Sequence, residues 1–158
     1  MTVITTPARI VSLADGVTYT VGSVTYTIHG FDPPLAKAPE TAQLPALYVY
    51  TSRATYDYEY YGDDDVREIR EYRIQLAVLP VTEATQELIE TRCRAAIVAV
   101  RNIYAARPSL GNLAGEQNAL IVSDSGAFQL PQYGGVHIGV EFILRVDEQF
   151  ARTFASNE

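Results

Sequence analysis

Between Val136 and Val146 every second residue is apolar: Val136, Ile138, Val140, Phe142, Leu144 and Val146 share one face. A period of two predicts a strand over residues 136–146 with one buried side. Residues 66–79 predict a longer strand of the same kind. Tyr72, Ile74, Leu76 and Val78 lie on one face, Arg73 and Gln75 point the other way, and Pro80 closes the run. Two short apolar runs, ALYVY at 46–50 and ALIVSD at 119–124, add further strands. One-sided alternation of this sort implies an antiparallel sheet with a single covered face.

The period changes over residues 82–107. Ile89, Cys93, Ala96, Ile97, Val100, Ile103 and Tyr104 recur at helical spacing and define one buried stripe. Thr82 is the expected N-cap. Glu83, Glu87 and Glu90 lie in the first half, and Arg92, Arg94, Arg101 and Arg107 in the second, a polarity that suits the helix dipole. Pro108 blocks continuation. A short helix is predicted over residues 5–15, with Thr6 as N-cap, Pro7 at the first helical position and Gly16 to end it. The near-duplicate halves VTYTV and VTYTI, joined by Gly22-Ser23, predict a β-hairpin over residues 17–28 with a type II′ turn. Residues 30–45 hold four prolines and make an extended connection that is no central strand. The expected fold class is α+β: one domain over residues 1–158, with a mainly antiparallel β-sheet packed against one long α-helix. A short N-terminal helix and an extended charged β-hairpin complete it.

Composition narrows the function. With 47% hydrophobic residues in 158, the chain is long and apolar enough to bury a core. No apolar run spans a bilayer, and MTVITTPARIVSLADG lacks the features of a signal peptide, so no membrane role is expected and folding is expected where the chain is made. A net charge of −7 argues against nucleic-acid binding, which needs a basic footprint. Cys93 is the only cysteine; with two histidines beside it, a structural zinc site is hard to assemble. His29 reads as a loop residue, and His137 as an exposed or interface residue on the polar face of its strand. No phosphate-binding, dinucleotide-binding, zinc-protease or nucleophile-elbow motif occurs, so no catalytic residue, metal or cofactor is expected, and the chain does not read as an enzyme.

The charge is concentrated. Between residues 57 and 71 seven acids (Asp57, Glu59, Asp63, Asp64, Asp65, Glu68 and Glu71) face Arg67 and Arg70, giving −5 of the chain's −7. The consecutive aspartates lack the alternating spacing of a calcium loop and suit a solvated turn. Tyr56, Tyr58 and Tyr60 alternate on one side of the expected ribbon. A two-stranded ribbon alone in water is marginal, and Tyr is favoured in interface cores, so the ribbon is expected to lie against another surface. The candidate subunit-interface residues are therefore Tyr56, Tyr58, Tyr60, Asp63, Asp64, Asp65, Arg67 and Arg70. Arg92, Arg94 and Arg101 stand as the complementary set, with Arg107 and Arg145 as further candidates.

The order of elements resembles the tail-terminator or tail-completion proteins of tailed bacteriophages. The likeness is carried by PPLAKAPETAQLPALYVY, the charged loop leading into EYRIQLAVLPVTEA, the long helix, RPSLGNLAG and the closing QYGGVHIGVEFILRVDE, over most of residues 30–148. The VTYTVGSVTYTI hairpin lies outside that pattern. The resemblance implies a virion protein, assembled in the host cytoplasm, whose subunits form a hexameric ring. The ring caps the tail tube, ends its polymerisation and joins the tail to the head connector. The implied partners are further copies of the chain, the tail tube protein and the neck proteins. Genomic DNA passes through the lumen without specific binding. Alternatives are a head-completion or neck adaptor ring and a stand-alone ligand-binding or enzymatic α+β domain.

Overall fold

The computed structural model describes residues 5–58, 65–110 and 117–151. Helix α1 (Thr6–Ala14) is followed by strands β1 (Thr18–Val21), β2 (Val24–Thr27), β3 (His29–Phe31), β4 (Ala46–Asp57) and β5 (Asp65–Pro80). Helix α2 (Gln86–Ala105) leads to β6 (Gln117–Asp124), β7 (Phe128–Gln129) and β8 (His137–Ala151). Single 3-10 turns occupy Thr41–Gln43, Val81–Glu83 and Gln132–Gly134. The fold is α+β. Its main sheet runs β3-β4-β5-β8-β6, with β7 pairing β8, and it is mixed, because β3 joins β4 in parallel while all other pairings are antiparallel.

The apolar periodicities place the principal core. Tyr72, Ile74, Leu76 and Val78 of β5 join Val140, Phe142, Leu144 and Val146 of β8 on one sheet face. Cys93, Ala96, Val100 and Tyr104 of α2 cover them, with Ile89, Ile97 and Ile103 at the margins. Val136 lies just outside β8 and is exposed. α1 packs into the same core through Ile10, Val11 and Ala14, and the Tyr104 hydroxyl donates 2.8 Å to the Ile10 carbonyl. At Gly139 the strands β5 and β8 approach so closely that a Cβ would stand 1.9 Å from the Leu76 carbonyl oxygen. A bulge between Ala77 and Leu79 lies beside this point.

The helix ends differ from expectation. Thr5, not Thr6, caps α1, accepting the Ala8 N–H at 3.3 Å. Thr85, not Thr82, caps α2, accepting the Leu88 N–H at 3.3 Å. The reason for the second shift is that the Val81 N–H donates to the Val136 carbonyl at 3.0 Å, which ties the chain to the sheet and holds Val81–Glu83 in a separate turn. The helix is accordingly shorter than residues 82–107. The β1–β2 hairpin forms in the expected register, Thr18↔Thr27 to Val21↔Val24, and of its two turn residues only Gly22 has positive φ, at +61°. That is the II′ pattern.

The sheet is not one-sided. Ala46, Tyr48, Ala77 and Leu130 form a second small core on the face away from α2, flanked by Phe31, Leu44, Tyr50 and Tyr133. The proline-rich segment and the turn at 131–135 fold over this end, joined where the Tyr133 hydroxyl donates 2.6 Å to the Leu35 carbonyl. Gln75 is therefore fully buried, donating 2.7 Å to Glu141. His137 is buried as well, contrary to the exposed position expected of it, and hydrogen-bonds the Pro39 carbonyl.

Candidate subunit interface

β4 extends seven residues past the predicted run 46–50 and pairs with β5 as far as Asp57↔Arg67. Bulging between Thr51 and Ala54 shifts the register there. Arg70 supports this irregularity: its Nη1 donates 3.1 Å to the Ser52 carbonyl, its Nη2 donates 2.8 Å to the Tyr56 hydroxyl, and its Nε contacts Glu68. Tyr56 and Tyr58 sit at the end of β4 with their rings 6.4 Å apart, 43% and 54% exposed. They are the large aromatic side chains most open to solvent among the described residues.

Two expectations about this region need correction. The extension is not a free two-stranded ribbon, because the far edge of β5 pairs with β8 as far as Asp65↔Ala151. Arg67 and Arg70 are not offered to a neighbour. Arg67 makes a bidentate contact with Asp147 of β8 at 2.9 and 3.0 Å through Nε, and Arg70 is engaged as described. These arginines hold the extension together, so that the side chains it presents are the tyrosines. Tyr60, Asp63 and Asp64 lie outside the described residues; Asp65 is the first residue of β5.

The arginines expected on the complementary surface divide by role. Arg92 stacks over Tyr26 at 5.2 Å, and Tyr26 stacks on Tyr19 at 5.7 Å, which clamps the β1–β2 hairpin onto α2. Burial raises the Tyr19 phenol well above its ordinary value, so it stays neutral in this contact. Arg145 reaches toward Glu71, which also binds Arg53, on the sheet face away from α2. Arg94 pairs with Glu90 one turn before it but is itself largely exposed. Arg101 and Arg107 are exposed and make no ion pair among the described residues.

Between the hairpin and α2 lies a groove of about 640 Å³. Its floor is Ala95, Ala99 and Val98, and its rims carry Thr18, Thr20 and Asn102. Val98 is 41% exposed and lies outside the buried stripe of α2. On a helix surface residues three and four apart are neighbours, so Val98 stands directly between Arg94 and Arg101. Sequence reasoning missed this groove. The available signal was an apolar residue on the arginine face of the helix. The opposite wall, however, comes from a hairpin far earlier in the chain, which no local pattern reveals.

Among the described residues no three His, Cys, Asp or Glu side chains converge to hold a metal. Cys93 is buried against the sheet, and burial pushes its thiol up to about 11, which suppresses the thiolate. Among the described residues no helix is long and apolar enough to cross a membrane. Comparison with protein-family models and with curated protein sequences finds no match.

Proposed function

We propose that this chain is a ring-forming structural protein of a phage tail, one that caps the tail tube and joins it to the head connector. The observation that carries the reading is the pair Tyr56–Tyr58, exposed at the end of an acidic sheet extension whose arginines are consumed internally. Such an end is built to be covered. A ring requires two different, mutually complementary patches on each subunit, repeated by rotation until the contact closes. The acidic extension supplies one candidate patch, and α2 offers the exposed Arg101, which makes no ion pair among the described residues, whereas Arg94 is paired with Glu90. The order of elements over residues 30–148 supports the tail-terminator assignment within the class of ring proteins. The low basic content suits a lumen through which DNA slides, because each basic contact would add salt-dependent affinity. The activity is mechanical, without a catalytic residue or cofactor, and the chain acts in the virion.

Electron microscopy of particles assembled without the protein tests the reading. Overlong or headless tails are the expected phenotype. Filled heads that leak DNA would assign the chain to head completion instead, and normal particles would refute a tail role.

A further inference from the structure

Residues 32–44 lie over the sheet face away from α2, yet the segment forms no strand, and Pro39 is its only buried residue. Two side-chain hydrogen bonds tie it to the body of the fold. The Tyr133 hydroxyl donates to the Leu35 carbonyl at 2.6 Å, and His137 bonds the Pro39 carbonyl. Beneath this cover Tyr48, Gln75 and Leu130 are fully buried. A segment that buries so little of itself has the low local stability of a part that opens apart from the whole.

The second tie depends on a proton. His137 is 5% exposed, and its Nδ1 is buried without a partner among the described residues, so the Pro39 bond is donated by Nε2. A neutral imidazole fits this arrangement, because Nδ1 is then a bare acceptor. Protonation would put an N–H and a positive charge at Nδ1, where no acceptor stands, and an unpaired buried charge is costly. From these contacts we infer that His137 is a pH-sensitive latch, which releases the proline-rich cover from the sheet when the imidazole takes up a proton. Release gives the imidazole access to water while β4, β5 and β8 stay paired, and it uncovers Tyr48 and Leu130. The inference does not rest on the ring reading.

Among the described residues no charge around the ring offsets the cost. β5 contributes Pro80, the register partner of His137, and the uncharged Gln75; β7 contributes Gln129 and Leu130. Glu141, on β8 itself, is engaged by the Gln75 amide at 2.7 Å. Tyr48 and Tyr133 are phenols that burial keeps neutral. Glu83, from the turn after β5, and Lys37 and Glu40, from the cover, are exposed. Burial lowers the pKa of His137 and the Pro39 bond opposes it, with no carboxylate or cation contributing. The sign follows from this direction. The open state binds the proton more tightly, so the closed cover has its full stability above about pH 6.5 and loses it as pH falls below that point.

One peptide bond reports the opening. Lys37 is the only lysine in the chain and stands two residues before Pro39, so a lysine-specific protease cuts the full-length chain only between Lys37 and Ala38. Its cleavage rate is measured from pH 8 to pH 5 and divided by the rate on a synthetic peptide of residues 30–45, which removes the pH dependence of the protease. The ratio is expected to be constant above pH 7 and to rise below about 6.5, with a limiting slope of about tenfold per pH unit for one proton. Circular dichroism should show the sheet and α2 retained throughout. His137→Gln keeps a donor for the Pro39 carbonyl without titrating, and its ratio should stay flat. Tyr133→Phe removes the other tie and should raise the ratio at every pH while leaving the slope in place. A flat wild-type ratio would overturn the latch, and so would a slope that persists in His137→Gln. Cleavage that grows with urea as steeply as global unfolding would overturn it too, because the whole chain would then be opening. Both wild-type measurements decide the matter even where a variant folds poorly.

Discussion

Replacing Gly139 by Ala sets two effects of opposite sign against each other. Gly139 does not adopt a positive φ, so its backbone conformation is open to alanine. On conformational entropy alone, the substitution would stabilise the protein by about 0.4–1 kcal/mol through the unfolded chain. The packing points the other way. The new Cβ would stand 1.9 Å from the Leu76 carbonyl oxygen and 2.8 Å from Leu130 Cδ1. Reaching the ordinary contact distance requires the carbonyl to retreat by roughly 1.5 Å. That oxygen belongs to the backbone of β5, which is paired on one side with β8 and on the other with β4. A rotamer change cannot relieve the clash; two central strands must separate. Overpacking of this severity costs at least about 3 kcal/mol, well above the entropic gain. In a chain of this length that lowers Tm by roughly 6–12 °C. Urea titration followed by circular dichroism measures the difference. Gly22→Ala is the control, because it has the same chemistry at a φ of +61° with nothing within 4 Å, and it should cost about 1 kcal/mol. If the Gly139→Ala variant is as stable as the wild type, the close approach of β5 and β8 is wrong.

Two further outcomes follow from buried groups. Burial lowers the pKa of His137, with the Pro39 carbonyl bond opposing the shift, while the unfolded chain titrates near 6.5. Unfolding therefore takes up a proton once pH falls through about 6.5, and stability should decline below that point while staying flat above it. His137→Gln should remove this part of the pH profile, and an unchanged profile in chemical denaturation would refute the assignment. Cys93, with its thiol pushed up to about 11 and its side chain buried, should resist a disulfide-exchange reagent at pH 8 and react at the rate of unfolding. Labelling on the timescale of a free peptide thiol would contradict its place in the core.

How far the sequence could be read depended on how local the physics was. The strands around Tyr72–Val78 and Ile138–Val146, and the stripe of α2, follow from alternation and helical spacing because each buries one face against a partner. β4 beyond Tyr50 was expected as one limb of a separate charged ribbon and not as a continuation of the main-sheet strand, because Thr51–Asp57 carries polar residues toward both faces and leaves no apolar period to join it to 46–50. What holds that stretch in the sheet is pairing with β5 and the Arg70 contacts. The second core was hidden for a related reason: its cover is a proline-rich segment without periodicity, recognisable only once it folds over Tyr48 and Gln75. Gln75 and His137 looked like surface residues on their strands, and the same cover buries them. The candidate site was half legible. Tyrosine and acid clustering marked the extension, whereas the roles of its arginines depend on Asp147, eighty residues away from Arg67.

β5 spans sixteen residues, roughly 50 Å of nearly continuous strand at about 3.3 Å per residue. One end lies under α2 and the proline-rich cover, and the other carries the pairing partners of Tyr56 and Asp57. A pull on the exposed end is therefore transmitted along one backbone into the centre of the fold, with no hinge between. Under load along its length the strand acts as a tie rod, and the bidentate Arg67–Asp147 contact is the cross-brace that keeps it from peeling away from β8.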